Sequence, residues 1–122
     1  MVTNDTLYYL MDSFDKTLWC GFYLTDDSGE VLYLGPYQGP IACTTILFGK
    51  GVCGNAAYKQ CSELVPNVHL YPGHIACSSS TNSEVVVPLL CNNTCVGVLD
   101  LDSDNFQNFT QIHLVSEDTV WY

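Results

Sequence analysis

Thiols and carboxylates lie in separate, glycine-containing segments of this 122-residue chain. The candidate thiols are three cysteines: Cys43, Cys53 and Cys77. The candidate acidic groups are three carboxylates further along the chain: Glu84, Asp100 and Asp102. A thiol supplies a nucleophile and can form a disulfide, whereas a carboxylate can bind an ammonium group or donate a proton. If one small fold brings the two sets together, the combination favours redox chemistry on a small polar substrate.

The charge of the chain excludes two classes of partner. Thirteen acidic residues oppose three lysines and no arginine, which gives a formal net charge of −10. Because so few cations are available to neutralise phosphate, we expect no binding to nucleic acid or to anionic membranes. For the same reason, a bound carboxylate must be held by backbone N–H groups or by lysine.

Length and composition predict one folded domain over residues 1–122. A hydrophobic fraction of 48% with 13% charged residues is typical of a globular chain. No apolar run approaches the ~20 residues of a membrane helix. Residues 1–15 also lack the basic and apolar regions of a signal peptide. We therefore expect a cytoplasmic protein.

The seven cysteines of the chain favour reactive thiols over a structural framework. Their odd number and the missing signal peptide argue against a set of structural disulfides. Cys91 and Cys95, with His69, His74 and Cys77 nearby in sequence, raise the alternative of zinc, but no second pair has the usual short spacing. We therefore expect no metal and no cofactor. The remaining cysteines are interpreted as small hydrophobic side chains: Cys20, Cys61, Cys91 and Cys95.

Hydrophobic periodicity predicts the element order α-β-β-β-α-β-β-β-α, an α+β domain with an antiparallel sheet. The predicted helices are a short N-terminal segment over about residues 3–15, then 52–60 and 109–121. The predicted strands are 18–25, 30–34, 45–48, 64–65, 84–90 and 95–101. Residues 35–40 and 66–83 are predicted loops, and long loops in compact domains are usually functional.

Eight runs of this sequence, taken together, resemble the free methionine-(R)-sulfoxide reductases, which are enzymes built on a GAF-type domain. The runs are residues 19–24, 34–39, 42–44, 49–54, 65–69, 72–77, 83–88 and 97–103. The similarity covers about residues 18–109. It implies a GAF-like fold, with a central antiparallel sheet of about six strands, helices on one face and a ligand pocket on the other.

The resemblance also implies an activity and its partners. The reaction would be reduction of free L-methionine-(R)-sulfoxide to L-methionine through a sulfenic acid and an intramolecular disulfide, recycled by thioredoxin. A homodimer is compatible with the resemblance. By similarity, Cys77 is the nucleophile, Cys43 the main resolving cysteine and Cys53 an alternative or assisting thiol. The substrate-binding residues would be three carboxylates and two pocket aromatics near the S-methyl end: Glu84, Asp100, Asp102, Trp19 and Tyr23.

The chemistry is consistent with these residue types. A thiol reduces a sulfoxide and becomes a sulfenic acid, and a second thiol converts that acid to a disulfide. Cys77 and Cys43 can do this if their Cα atoms lie within about 7 Å. Asp100 and Asp102 share one face of a strand, so their mutual repulsion favours a proton on one of them. That acid could hydrogen-bond the sulfoxide oxygen while an ionised neighbour binds the substrate ammonium.

The hairpin register decides whether Glu84 joins the two aspartates. A two-residue turn at Asn92 and Asn93 would set Val85 opposite Asp100, and Glu84 would face away. The paired asparagines favour that turn locally. A pocket built from all three carboxylates requires an odd loop or a bulge, and we predict one.

Other interpretations remain open at the level of sequence. Asp100 and Asp102 could be a solvated strand end, and Trp19 and Tyr23 could be ordinary core aromatics. His74 could activate Cys77 or stabilise its loop. The alternative functions are a non-catalytic GAF-type module that binds a small ligand and regulates a partner, and a thiol-based redox sensor.

Overall fold

The computed structural model describes residues 16–109, which form a six-stranded antiparallel sheet with one α-helix. The strands are β1 Thr17–Thr25, β2 Val31–Gln38, β3 Thr45–Leu47, β4 Glu63–Val65, β5 Ser83–Cys91 and β6 Thr94–Ser103. The helix α1 is Gly51–Lys59, and a 3-10 turn spans Val68–Leu70. The sheet order is β3-β2-β1-β6-β5-β4. The predicted α+β class and strand number are confirmed, while the helices predicted at 3–15 and 109–121 fall outside the described residues, save for position 109.

The loop predicted at residues 35–40 is wrong for its first four positions, because β2 continues to Gln38. The strand bulges here: Tyr23 pairs with Leu34 and Gly21 with Tyr37, which leaves two residues of β2 opposite one of β1. Pro36 lies in this bulge and beyond the residues that pair with β3. Its missing N–H therefore removes no ladder bond, which is where a strand tolerates proline.

The β5–β6 hairpin combines a tight turn with a bulge. Asn92 and Asn93 have positive φ angles of 52° and 65° and form a two-residue turn between Cys91 and Thr94. The register then shifts, because Leu90 pairs with Cys95 but Leu89 pairs with Gly97, so Val96 is unpaired. After this bulge Glu84 pairs with Asp102 and Val86 with Asp100. The predicted bulge is confirmed, and the three carboxylates share one face.

Each face of the sheet carries its own buried cluster. The first includes Trp19, Tyr23, Val86 and Val98 from the sheet and Val52, Cys53, Ala56 and Ala57 from α1. The second consists of Cys20, Phe22, Val85, Leu99, Leu101 and Phe109. Because α1 packs on the face that carries the carboxylates, the expected separation of helices and pocket onto opposite faces does not hold for α1. Its buried glycines and alanines allow a close approach to the sheet.

Within residues 16–109, no helix has the length and apolar character needed to span a membrane.

At Gly97, beside the bulge, β6 lies very close to the backbone of β1. A Cβ atom at this position would lie 2.6 Å from the backbone oxygen of Tyr23. We expect Gly97→Ala to lower the free energy of unfolding by about 1–3 kcal/mol, because backbone has to move. The matched control Val96→Ala changes an exposed side chain next to it and should stay within ~0.5 kcal/mol. Urea denaturation measures both, and equal stability of Gly97→Ala and the parent would contradict this packing.

Candidate active site

A disulfide joins Cys43 to Cys77 and ties together two loops. The Cα atoms are 5.2 Å apart, inside the limit of about 7 Å for such a bond. The loop that carries Cys77 is held by backbone hydrogen bonds: Val68 donates to Asn82, and His74 donates to the carbonyl of Tyr71. The structure therefore brings the predicted nucleophile and its predicted resolving partner into covalent contact.

The three carboxylates meet on β5 and β6. Glu84 and Asp100 are 6% and 4% exposed, although carboxylates are seldom buried without a partner. The Oδ1 atoms of Asp100 and Asp102 are buried and have no hydrogen-bond partner among the described residues. Unpaired buried oxygens are costly, so the cluster is built for a proton, a cation or a polar ligand.

Burial makes two of these groups, Asp100 and Asp102, weaker acids than usual. The pKa of Asp100 is raised well above its ordinary value, first by desolvation and then by the charges of Asp102 and Glu84. Desolvation and the charge of Glu84 likewise raise the pKa of Asp102. Like charges this close cannot all ionise, so the cluster retains a proton and can act as a hydrogen-bond donor.

Cys53 lies in the first turn of α1, directly against the carboxylates. Its thiol donates to Oε2 of Glu84 across 3.8 Å and is 5% exposed. Burial, followed by the charges of Asp100, Glu84 and Asp102, raises the pKa of this thiol. His74 approaches the same carboxylate from the loop, with Nε2 4.0 Å from Oε1 of Glu84. Cys53 is therefore held as a neutral thiol, unlike an activated nucleophile.

Two buried aromatics support the loop that carries Cys43. Trp19 stacks between Tyr23 and Tyr37, with ring centroids 5.9 and 5.4 Å away. The indole N–H of Trp19 donates to the carbonyl of Pro40, and the Tyr23 hydroxyl donates to the carbonyl of Cys43, both at 3.0 Å. Burial and the nearby carboxylates raise the pKa of Tyr23, so its hydroxyl remains a donor. The aromatics therefore belong both to the core and to the wall of the site.

A small cavity of about 40 Å³ lies among these groups. Seven of the eight predicted site residues line it: Trp19, Tyr23, Cys53, Cys77, Glu84, Asp100 and Asp102. Cys43 does not, and reaches the cavity only through its bond to Cys77. This volume holds a few water molecules while the disulfide is closed.

Lys50 also lines the cavity, although sequence reasoning assigned it no role. The chain has three lysines and no arginine, and of the three only Lys50 lies there. The sequence offered one signal for Lys50: it lies between Gly49 and Gly51, just before the predicted helix, and so beside the N-terminus of α1. It adds a positive charge to a site otherwise dominated by carboxylates.

The four cysteines interpreted as small hydrophobic side chains divide into two pairs. Cys20 and Cys95 are buried, as expected. Cys61 and Cys91 are exposed, so the interpretation is wrong for them. Cys61 follows the end of α1 and Cys91 borders the hairpin turn, and both positions face outward because the chain reverses there.

Comparison with known proteins assigns this fold and site to a class. The GAF domain model matches residues 13–117, and the chain therefore belongs to the GAF domain family. A GAF domain-containing protein A of Dictyostelium discoideum is 52% identical over 94 residues, which cover 77% of this chain and 59% of that protein. The predicted GAF-like fold is confirmed.

Within this family the predicted resemblance to free methionine-R-sulfoxide reductases is confirmed. The enzyme of that name from Saccharomyces cerevisiae is 49% identical over 96 residues, which cover 77% of this chain and 53% of that protein. A structure of the free methionine-R-sulfoxide reductase from Neisseria meningitidis, in complex with its substrate, superposes with a TM-score of 0.90 at 43% identity. The superposed region covers 94% of this chain and 68% of the Neisseria chain. The chain spans only about half the length of each of these two curated relatives.

The raised pKa of Asp100 makes a prediction about stability. A carboxyl group whose pKa rises on folding favours the folded state below its ordinary value of 3.8, and this contribution is lost as the pH rises through the raised pKa. The contribution of Asp100 to the stability of the parent should therefore decrease as the pH rises above about 4. Asp100→Asn mimics the neutral acid, so its Tm should exceed that of the parent by a margin that widens with pH.

The matched control for this measurement is Asp26→Asn. Asp26 is partly exposed, and its pKa is lowered by a hydrogen bond from the Ser28 side chain, so its contribution has the opposite sign and changes only in acid. Thermal unfolding of the three proteins from pH 4 to 8 should give parallel curves for the parent and Asp26→Asn and a flatter one for Asp100→Asn. Three parallel curves would contradict the protonated cluster.

Proposed function

We propose that this protein reduces free L-methionine-(R)-sulfoxide to L-methionine. The observation that carries the proposal is the Cys43–Cys77 disulfide at the edge of a cavity lined by three carboxylates. Two relatives that bear the name of this enzyme, and the substrate complex of a third, support the same reaction. We propose that residues 1–122 act as a single GAF-type domain.

The reaction begins at the sulfur atom of Cys77. Its thiol attacks the sulfoxide sulfur, the sulfoxide oxygen is transferred to Cys77, and free methionine leaves. The sulfoxide sulfur gains two electrons, and the Cys77 sulfur loses two and becomes a sulfenic acid. A proton held on Asp100 or Asp102 hydrogen-bonds the sulfoxide oxygen and so stabilises the charge that develops there.

The second half of the cycle restores the thiols. The Cys43 thiol attacks the sulfenic acid, a sulfur–sulfur bond forms and water leaves. An external dithiol then reduces the disulfide, and we propose that thioredoxin of the cytoplasm supplies it. Cys43 and Cys77 are each half-buried, so the bond remains accessible from one side. Cys53 assists by holding Glu84 and is not the main resolving thiol, because its pKa is raised by burial.

Substrate selection follows from the charges around the cavity. An ionised carboxylate of the cluster binds the substrate ammonium, and Lys50 binds the substrate carboxylate. Trp19 and Tyr23 contact the S-methyl end. A methionine sulfoxide within a peptide has no ammonium at this place, so the buried carboxylate would lose its partner. The two alternative functions each use only part of this site: a ligand-binding regulatory module does not use the cysteine pair, and a redox sensor does not use the carboxylates. A homodimer remains a prediction.

The cysteine roles can be separated by turnover. Cys77→Ser should abolish reduction of free methionine-(R)-sulfoxide with a thioredoxin system, because no sulfenic acid can form. Cys43→Ser should still release about one methionine per chain in a single turnover and then stop, because its sulfenic acid is not resolved. Cys61→Ser removes an exposed free thiol and should match the parent. Methionine release measures all three, and sustained turnover by Cys77→Ser would assign the nucleophile elsewhere.

The ammonium site can be tested with a blocked substrate. Glu84→Gln and Asp100→Asn should lower kcat/KM for the free amino acid about ten- to hundredfold, which corresponds to ~1.5–3 kcal/mol for lost hydrogen bonds to charged groups. Asp27→Asn, in an exposed turn, serves as the control. The N-acetylated sulfoxide should be a poor substrate of the parent. Equal rates on free and acetylated substrate would show that no carboxylate recognises the ammonium.

A further inference from the structure

Beside the redox pair, a second cluster of potential ligand atoms lies deeper in the molecule. Cys53 Sγ and one carboxylate oxygen each from Glu84 and Asp100 all lie within 4.8 Å of one another, and all three side chains are buried. The three come from distant parts of the chain, namely α1, β5 and β6. None of them belongs to the Cys91 and Cys95 pattern that suggested zinc from the sequence.

The distances within this cluster suit a small thiophilic cation. Zinc binds sulfur at about 2.3 Å and carboxylate oxygen at about 2.1 Å, so two such ligands of a tetrahedral ion lie roughly 3.6 Å apart. The observed separation between Cys53 Sγ and Glu84 Oε2 is 3.8 Å. His74 Nε2 lies 4.0 Å from Glu84 Oε1 but does not belong to the group of ligand atoms that are all within 4.8 Å of one another. Three ligand atoms are therefore close enough to bind one cation, with water in the fourth position of a tetrahedral ion.

An unpartnered atom points to a ligand here independently of these distances. Asp100 is 4% exposed, it lines the cavity, and its Oδ1 atom accepts no hydrogen bond from the described residues. A cation bound between Asp100 and Glu84 would satisfy this oxygen and remove the repulsion between the two carboxylates. Lys50 lines the same cavity but makes no ion pair with them within the described part of the chain.

We propose that Cys53, Glu84 and Asp100 form a binding site for a thiophilic divalent cation of the zinc class, which acts as an inhibitor. Binding releases the Cys53 proton and forms a metal–thiolate bond, with no change of oxidation state. Because the site excludes Cys43 and Cys77, it is present in the disulfide-bonded protein as well as in the reduced one. The cation occupies the carboxylates proposed to bind the substrate ammonium, so only the inhibition, and not the binding, rests on the proposed function.

The test uses Co²⁺ as a spectroscopic probe of the disulfide-bonded full chain. The exposed thiols are first removed with Cys61→Ser and Cys91→Ser, so that they cannot bind the probe. We expect a near-ultraviolet thiolate-to-cobalt absorption band that saturates at one Co²⁺ per chain and disappears when Zn²⁺ is added. Absence of the band, or its appearance only after the disulfide is reduced, would overturn the proposal.

Variants assign the ligands. Cys53→Ser should lose the band and bind Zn²⁺ at least about tenfold more weakly, as should Asp100→Asn, which leaves every thiol in place. Cys95→Ser is the matched control, since Cys95 is also a buried free thiol but bonds to the carbonyl of Gly97. A band that survives Cys53→Ser, or Zn²⁺ binding unchanged in Asp100→Asn, contradicts the site. Circular dichroism establishes that each variant is folded.

Competition separates this proposal from the proposed function. Binding of Zn²⁺ is measured without turnover, so an inactive protein that still shows the Cys53-dependent band would leave the metal site standing. Free methionine should raise the apparent Kd for Zn²⁺ in a Cys43→Ser, Cys77→Ser variant, whose cavity no disulfide closes, if both ligands use Asp100 and Glu84. Metal binding that free methionine does not affect would instead overturn the carboxylates as the substrate site.

Discussion

The register between β5 and β6 is the constraint on which the rest of the site depends. One unpaired residue, Val96, shifts the ladder so that Glu84 pairs with Asp102 and Val86 with Asp100. Without that bulge the same turn would place Glu84 on the opposite face, in the cluster of Val85. The unpaired Val96 therefore decides whether Glu84 faces the cavity together with the two aspartates.

Burial of those carboxylates explains the composition of their surroundings. Desolvation raises the pKa of Asp100, and two side chains approach the neighbouring Glu84: the Cys53 thiol donates to Oε2, and Nε2 of His74 lies 4.0 Å from Oε1. Tyr23, which lines the same cavity, donates to the carbonyl of Cys43. The cavity that holds the acidic cluster and the loop that carries Cys43 therefore share Tyr23.

Cys77 and Cys53 both line the cavity, but their different surroundings give them different reactivity. Cys77 lies half-buried in a loop and is bonded to Cys43, so it can meet a substrate and a reductant. Cys53 lies buried beside carboxylates that raise its pKa, which keeps it protonated. The same carboxylates that keep Cys53 protonated would supply the negative charge for the cation proposed above, whose binding releases the Cys53 proton.

Local patterns in the sequence were sufficient for the order of the six strands and α1 and for part of the site, but not for the end of β2. Strand alternation by itself placed Asp100 and Asp102 on one face, because that period depends only on neighbouring residues. Contacts between distant segments decided the rest: the Val96 bulge that adds Glu84, the bulge that keeps Pro36 in a strand, and the packing of α1 on the pocket face. These depend on how one strand or helix fits against another, and the free energy of that fit is not encoded in any single segment.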